Sequence, residues 1–419
     1  MKKKFAIIAS LLPLLFAVQP DAKCQWVQTK GPSGESITAL AVIGPNLFAG
    51  TGIFFGGSGT GVFISSDNGM SWASMSAGLR YGYYKGDVIC LAVNGTDIFA
   101  GTDSGVFRST DNGTSWTGWS TGLFQDSYIT AITTIGTNLF AAAAGGGTTR
   151  EIFLSTDNGL NWTATYNGLL GGSAWALAVS GTNLFAGTFN GVFLSPDNGT
   201  SWKEINNGLI DTLVLALAEK GADLFAGTVG GGVFLSTNNG TNWIPVNNGL
   251  PKNASVDAFC VTGNSIFAGT LNDGVFLSID NGTNWHNVSI GLTDTAVFAL
   301  AVSGTNLFAG TKHEVWRRSL SDFGISTVSQ LLPSINSVIS FPNPLRESTS
   351  IKFSSPDRAF TQVSIHNLLG SEVAHFFSGS LDGGEHFFTW DAHGMPPGMY
   401  ICIIRASGRT EELPMMLVK

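Results

Sequence analysis

Along most of the chain, apolar and polar positions alternate with a period of two in short runs, broken every few residues by Gly, Asn or Asp. Stretches such as "ITALAV" at Ile37 and "AWALAV" at Ala174 are each followed by a six-residue motif. It reads "NLFAGT" at Asn46, "DIFAGT" at Asp97, "NLFAAA" at Asn138, "NLFAGT" at Asn183, "DLFAGT" at Asp223, "SIFAGT" at Ser265 and "NLFAGT" at Asn306. Downstream comes a "GVF"-type run and then a second motif ending in Trp, from "SSDNGMSW" at Ser65 to "SIDNGTNW" at Ser278, in six copies. Alternation with period two, bounded by turn residues, predicts strands and excludes helices, which need a period of 3.6. Each unit of about 42 residues therefore predicts four antiparallel strands, with the Asn-Gly of the second motif turning the third into the fourth.

On the first strand of each unit, alternate positions stay small (Ala39 and Ala41, Cys90 and Ala92, Ala176 and Ala178), whereas Leu40, Leu91 and Leu177 between them are large. A sheet with one small and one large face stacks on copies of itself, which predicts a seven-bladed β-propeller. Seven first motifs against six second motifs leave the last unit one strand short. The start of the chain, "QWVQTKGP" at Gln25, supplies a strand with Trp26 in the place of the missing Trp, closing the ring without an unpaired edge. The span from Gln25 to Arg318 is 294 residues, seven units of 42.

Composition narrows the function. With 21 basic and 29 acidic residues in 419, and a net charge of −8, the chain lacks the basic face that nucleic-acid binding requires. Four cysteines give no disulfide framework: Cys90 and Cys260 stand where other repeats carry Ala, and read as small core residues. No histidine falls in a metal-binding motif, so neither a metal nor a cofactor is expected. Residues 1–24 join Lys2, Lys3 and Lys4 to an apolar run from Phe5 to Val18, the pattern of a signal peptide. Ala17, Ala22 and Cys24 offer rival cleavage positions, and acylation of Cys24 is a competing reading. No later run approaches the length of a membrane helix.

The second motif, S-x-D-x-G-x-[S/T/N]-W, resembles the Asp-box, or BNR, repeat of sialidases, sortilin-type receptors, xyloglucanases and the photosystem II stability/assembly factors. In such a turn the carboxylate accepts backbone N–H groups, Gly takes a positive φ, and Trp covers the apolar side of the hairpin. Asp67, Asp111, Asp157, Asp197 and Asp280, with Asn238 replacing Asp in the fifth copy, are accordingly structural. A calcium loop would need further oxygen ligands and a closing Glu.

The repeat stops at about residue 325. A polar linker is expected over 326–335, and residues 336–419 predict six or seven short strands in a small Ig-like β-sandwich. "FPNPLRESTSIKF" at Phe341, "VSIHNLLGSEVA" at Val363, "GEHFFTWDA" at Gly384, "MPPGMYICII" at Met395 and the terminal "MMLVK" are similar to the C-terminal sorting domain of the type IX (Por) secretion system of Bacteroidetes. That resemblance implies recognition by the outer-membrane translocon, frequent removal of the domain, and a cargo that ends outside the cell or on its surface.

For the ring, residues 25–325, two readings compete. A sialidase-like enzyme needs three clustered arginines, but the repeats carry only Arg80, Arg108, Arg150, Arg317 and Arg318. A xyloglucanase-like one needs a carboxylate pair across a cleft. The reading preferred from sequence is a binding or scaffold module for a protein or glycan. Its candidate contacts are the long, aromatic loops of the first three blades: Phe54, Phe55, Arg80, Tyr81, Tyr83, Tyr84, Phe124, Tyr128 and Arg150. The alternative is a carbohydrate-active hydrolase.

Overall fold

In a computed structural model, the described residues are 25–418, apart from 53–58, 80–86, 124–126, 145–150, 166, 171, 326–335, 356–358, 368–370, 383 and 407–408. The expected signal peptide and linker lie outside them. The chain divides into two compact units, one ending at Ile325 and the other beginning at Ser326.

The first unit is a ring of seven four-stranded antiparallel sheets. In blade 1 the strands are Ile37–Ile43, Asn46–Thr51, Gly61–Ser65 and Ala73–Ser74, from the axis outwards. The innermost strands of blades 2 to 7 are Val88–Asn94, Tyr128–Ile135, Ala174–Ser180, Val214–Lys220, Val256–Thr262 and Val297–Ser303. Blade 7 takes its outermost strand, Val27–Ser33, from the start of the chain: Val27 lies opposite Arg317 and Gln28 opposite Trp316. The likeness of the seven sheets follows from the repeat, and the closure follows from its missing strand.

Side-chain size decides how the blades stack. The Phe of each second strand, such as Phe48, is buried against the following blade beside Val88, Ile98 and Phe107. Gly50, two residues on, makes room: a Cβ there would sit 2.6 Å from Cγ1 of Val88. The same clearance recurs between Gly187 and Val214 and between Gly269 and Val297. The large residues of the first strand face the other way, Leu40 and Val42 packing with Ala301 and Phe308 of blade 7. Each interface is therefore a layer of large side chains set against small ones.

The repeat tryptophans do more than cover their own hairpins, the role expected from sequence: they sit in the seams. Trp116 of blade 2 donates its backbone N–H to Ala77 O (2.9 Å) and its Nε1–H to Met75 O (2.6 Å), both in blade 1. Trp162, Trp202, Trp243 and Trp285 repeat this pair of bonds to the blade before them. Trp26 completes the set on Ile290 O and Val288 O of blade 6. The backbone partner precedes a glycine, Gly78, Gly122, Gly168, Gly208, Gly249 or Gly291, held at φ between 85° and 95°. A Cβ on Gly122 would lie 2.1 Å from Trp162 O.

The second unit contains seven strands in two antiparallel sheets. One holds Asn336–Phe341, Ser348–Ser355 and Gly384–Asp391; the other orders Glu372–Leu381, Ala359–Asn367, Gly398–Ala406 and Arg409–Leu417. Their shared core contains Ile351, Phe353, Val363, Ile365, Trp390, Tyr400, Cys402 and Met415. Trp390 meets Tyr400 edge to face, with ring centroids 4.9 Å apart.

Candidate functional site

The Ser-x-Asp turns use up their carboxylates locally. Ser65 Oγ donates to Asp67 Oδ1 (2.9 Å), Ser71 N–H donates to the same oxygen (2.9 Å), and Ser71 Oγ donates to Asp67 Oδ2 (2.6 Å). Gly69 N–H in turn donates to Ser65 Oγ. The Ser71 bonds hold the pKa of Asp67 down to about 2, and those of Ser115 do the same to Asp111. Asp157, Asp197 and Asp280 are lowered by the equivalent bonds. In the fifth turn the amide oxygen of Asn238 accepts from Ser236 Oγ and Asn242 N–H, both at 2.9 Å, so the geometry survives without the charge. Left-handed backbone extends further than the sequence implied: Asn68 (φ 59°) shares it with Gly69 (φ 79°).

Of the nine candidate contact residues, Phe54, Phe55, Arg80, Tyr81, Tyr83, Tyr84, Phe124 and Arg150 lie outside the described residues. Tyr128 is half-buried at the start of the innermost strand of blade 3, and burial, with the charges of Asp87 and Asp103, raises its hydroxyl pKa. Asp87 is buried and accepts Gly59 N–H at 2.6 Å; burial pushes its pKa up in spite of that bond, with help from Asp103 and Glu35. The described arginines of the repeats have structural partners. Arg108 pairs with Asp97 at 2.5 Å and lies over the Trp119 ring, Arg317 donates to Asn68 O, and Arg318 donates to Val288 O.

A feature that the repeat motifs do not announce lies on the ring axis. In every innermost strand the pairing register slips by one residue near the start, skipping Thr38, Ile89, Thr130, Trp175, Leu215, Asp257 and Phe298. A bulge of this kind re-aims a side chain. All seven line a cavity of about 330 Å³ on the axis, together with Leu40, Leu91, Leu177, Leu217, Phe259 and Leu300. Thr38 and Thr130 spend their hydroxyls on the next blade, at Val88 O and Ala174 O respectively. Asp257 differs from these two threonines: its Oδ1 is buried with no hydrogen-bond partner, and burial raises its pKa to about 7. The signal was in the sequence, since "VDAFCV" at Val256 carries an acid where the other repeats carry Thr, Ile, Trp, Leu or Phe.

Among the described residues no three His, Cys, Asp or Glu side chains are grouped to hold a metal ion, and Cys90, Cys260 and Cys402 are free thiols. No described helix is long and apolar enough to cross a membrane.

Residues 340–415 match the secretion system C-terminal sorting domain family. No curated protein sequence matches the chain. The chain is similar in fold to PorZ, an essential surface component of the type IX secretion system of Porphyromonas gingivalis, at 16% identity and a TM-score of 0.53. That match covers 93% of this chain and 60% of PorZ, so the chain spans less than two thirds of the longer protein. YCF48 from Cyanidioschyzon merolae is also similar, at 12% identity and a TM-score of 0.53, over 71% of this chain and 99% of that one. A YCF48 structure with D1 peptide bound gives 15% identity and a TM-score of 0.56, over 73% and 98%. These likenesses establish the propeller fold. The sorting domain marks the chain as cargo of the type IX route, delivered to the cell surface or secreted.

Proposed function

We propose that the propeller is a binding module displayed outside the cell, and that its partner, a protein or a glycan, docks on the loops joining one blade to the next. The observation that carries this reading is the exposure of large apolar side chains in adjacent seams: Leu170 is 86% and Ile210 85% accessible. Each stands two residues after its seam glycine, Gly168 or Gly208. In the repeat register, Arg80 and Phe124 occupy the same position after Gly78 and Gly122. Across the six seams this position reads Arg80, Phe124, Leu170, Ile210, Pro251 and Thr293, so the first four seams carry a large side chain after a fixed Gly-Leu pair and the last two do not. Leu213 and Val229 are also exposed, joined by a bond from Val229 N–H to Leu213 O. Exposed apolar side chains on a rigid scaffold are the usual material of a recognition surface.

Glycoside hydrolysis takes two carboxylates, an acid and a base or nucleophile. The described lining of the axial cavity contributes one, Asp257, so the binding reading is the better supported. The test is incubation of the purified propeller with intact cell surfaces and a panel of polysaccharides, scoring both retention and new reducing ends. Retention that Leu170→Lys with Ile210→Lys abolishes, without new reducing ends, is the expected result. Release of reducing ends by the wild-type chain would overturn it.

A further inference from the structure

Seven bulged residues meet at one end of the axial cavity, and six of them suit an apolar tube. Ile89, Leu215 and Phe298 are hydrocarbon, the hydroxyls of Thr38 and Thr130 are bonded to carbonyls, and Trp175 presents an aromatic ring, stacked on Phe189 at 5.5 Å. The seventh is a carboxylate. Burying a carboxylate without a donor is costly, and the six sister blades show that the fold does not need one at this position. A half-buried carboxylate with one oxygen sealed from solvent, facing a cavity with aromatic walls, has the chemistry of a site for an organic cation.

We propose that the axial cavity of the propeller binds a small organic ammonium group, its charge against Asp257 and its hydrocarbon against Trp175, Phe259 and Phe298. The volume of about 330 Å³ holds an alkylamine of several carbons or a side chain such as that of lysine. This site is distinct from the seam loops and does not rest on their function.

The empty site should resist ionisation, because burial holds the Asp257 pKa near 7. An incoming ammonium therefore binds the ionised form, and affinity falls as pH drops below 7, by up to about tenfold per unit. Neighbouring titratable groups do not compete for this role. Cys90 in the lining and Cys260 on the same strand are thiols pushed up to about 12. On the adjoining strand Val214–Lys220, Glu219 is engaged by Ser180, and Lys220 by Asn281. Asp223 at the start of the next strand accepts from Asn281. The adjoining innermost strand Val297–Ser303 and the paired strand Ser265–Thr270 carry no ionisable residue. In the nearby loops, Asp211 accepts Leu213 N–H, and Asp294 is held by the N–H and ring of His313.

The test is calorimetric titration of the full mature chain with n-hexylamine and, separately, with n-hexanol as its neutral isostere, at pH 8 and pH 5.5. The inference predicts at least tenfold tighter binding of the amine than the alcohol at pH 8. That preference should shrink at pH 5.5 and disappear in Asp257→Asn, whose thermal melt reports that it still folds. Leu170→Lys should leave the titration unchanged, which separates this site from the seam surface. Equal binding of amine and alcohol, no binding of the amine, or an amine preference that survives in Asp257→Asn would each overturn it.

Discussion

The indole Nε1–H of Trp26 donates to the carbonyl of Val288, 262 residues further along the chain, at 2.8 Å. That bond is one link in a chain of seam contacts in which each repeat Trp reaches back to the blade before it. Trp72 closes the last seam differently, donating to Thr29 Oγ1 at 3.2 Å, with Arg317 reaching Asn68 O at 2.6 Å across the same junction. The Trp26–Val288 and Arg317–Asn68 bonds thus join residues 262 and 249 positions apart, whereas Trp72 and Thr29 are 43 apart, like the partners in the other seams.

Replacing Trp116 by Phe keeps most of the seam volume but removes the bond to Met75 O. A loss of about 1 kcal/mol from the bond is expected, plus a smaller packing loss. Trp116→Ala, which also empties the site, should cost about 3–5 kcal/mol. Urea denaturation of the two variants distinguishes the bond from the bulk.

Gly122→Ala should be among the most damaging single substitutions in the ring, because the added Cβ meets Trp162 O at 2.1 Å in a left-handed backbone. Gly181, with φ +61° in a hairpin and nothing within 4 Å, is the control, and Gly181→Asn should be close to neutral. Comparable melting temperatures for the two variants would contradict the seam account.

Two sets of carboxylates give opposite pH slopes. The turn aspartates are held below their ordinary pKa by hydroxyl and N–H donors, so their stabilisation is present above pH 4 and is lost as pH falls towards about 2. Asp257 is raised from 3.8 to about 7, so the folded state gains protons there and loses stability as pH climbs from 4 to 7. Asp257→Asn should therefore raise the melting temperature at pH 8 and leave it nearly unchanged at pH 4. The gain at pH 8 should be on the order of 4 kcal/mol, since the pKa rises from 3.8 to about 7. Thermal melts of both proteins across that range check the sign.

The sorting domain is a compact unit with its own core, so removing residues 336–419 should leave the propeller folded and retain it inside the cell envelope. Trp390→Ala, which hollows that core beside Tyr400, should give the same mislocalisation in milder form. Fractionation of cells expressing each variant, with circular dichroism of the truncated protein, reads both effects.

The ring was legible because its period is long-range redundancy: seven copies of one motif and six of another locate every blade and expose the missing strand. The seam partners were harder to see. The Gly-Leu pairs at Gly78, Gly122, Gly168, Gly208, Gly249 and Gly291 are as regular as the Asp turns, but their function depends on a neighbouring blade, which local spacing does not reveal. The axial carboxylate was hidden for a related reason. A one-residue bulge turns Asp257 towards the axis, and a strict alternation of faces gives no sign of the slip. Loop length and aromatic content single out the nine candidate contact residues, but Tyr128, the one among the described residues, begins a strand and is half-buried.

Closure of the ring rests on the borrowed strand, and the most direct measurement compares thermal unfolding of the chain beginning at Gln25 with that of a chain beginning at Gly31. The shorter chain loses Trp26 and the pairing of Val27 and Gln28 with Arg317 and Trp316. Its melting temperature should fall sharply for the whole propeller in one transition, and a synthetic peptide spanning 25–33 should restore it. An undiminished melting temperature in the shorter chain would contradict the closure.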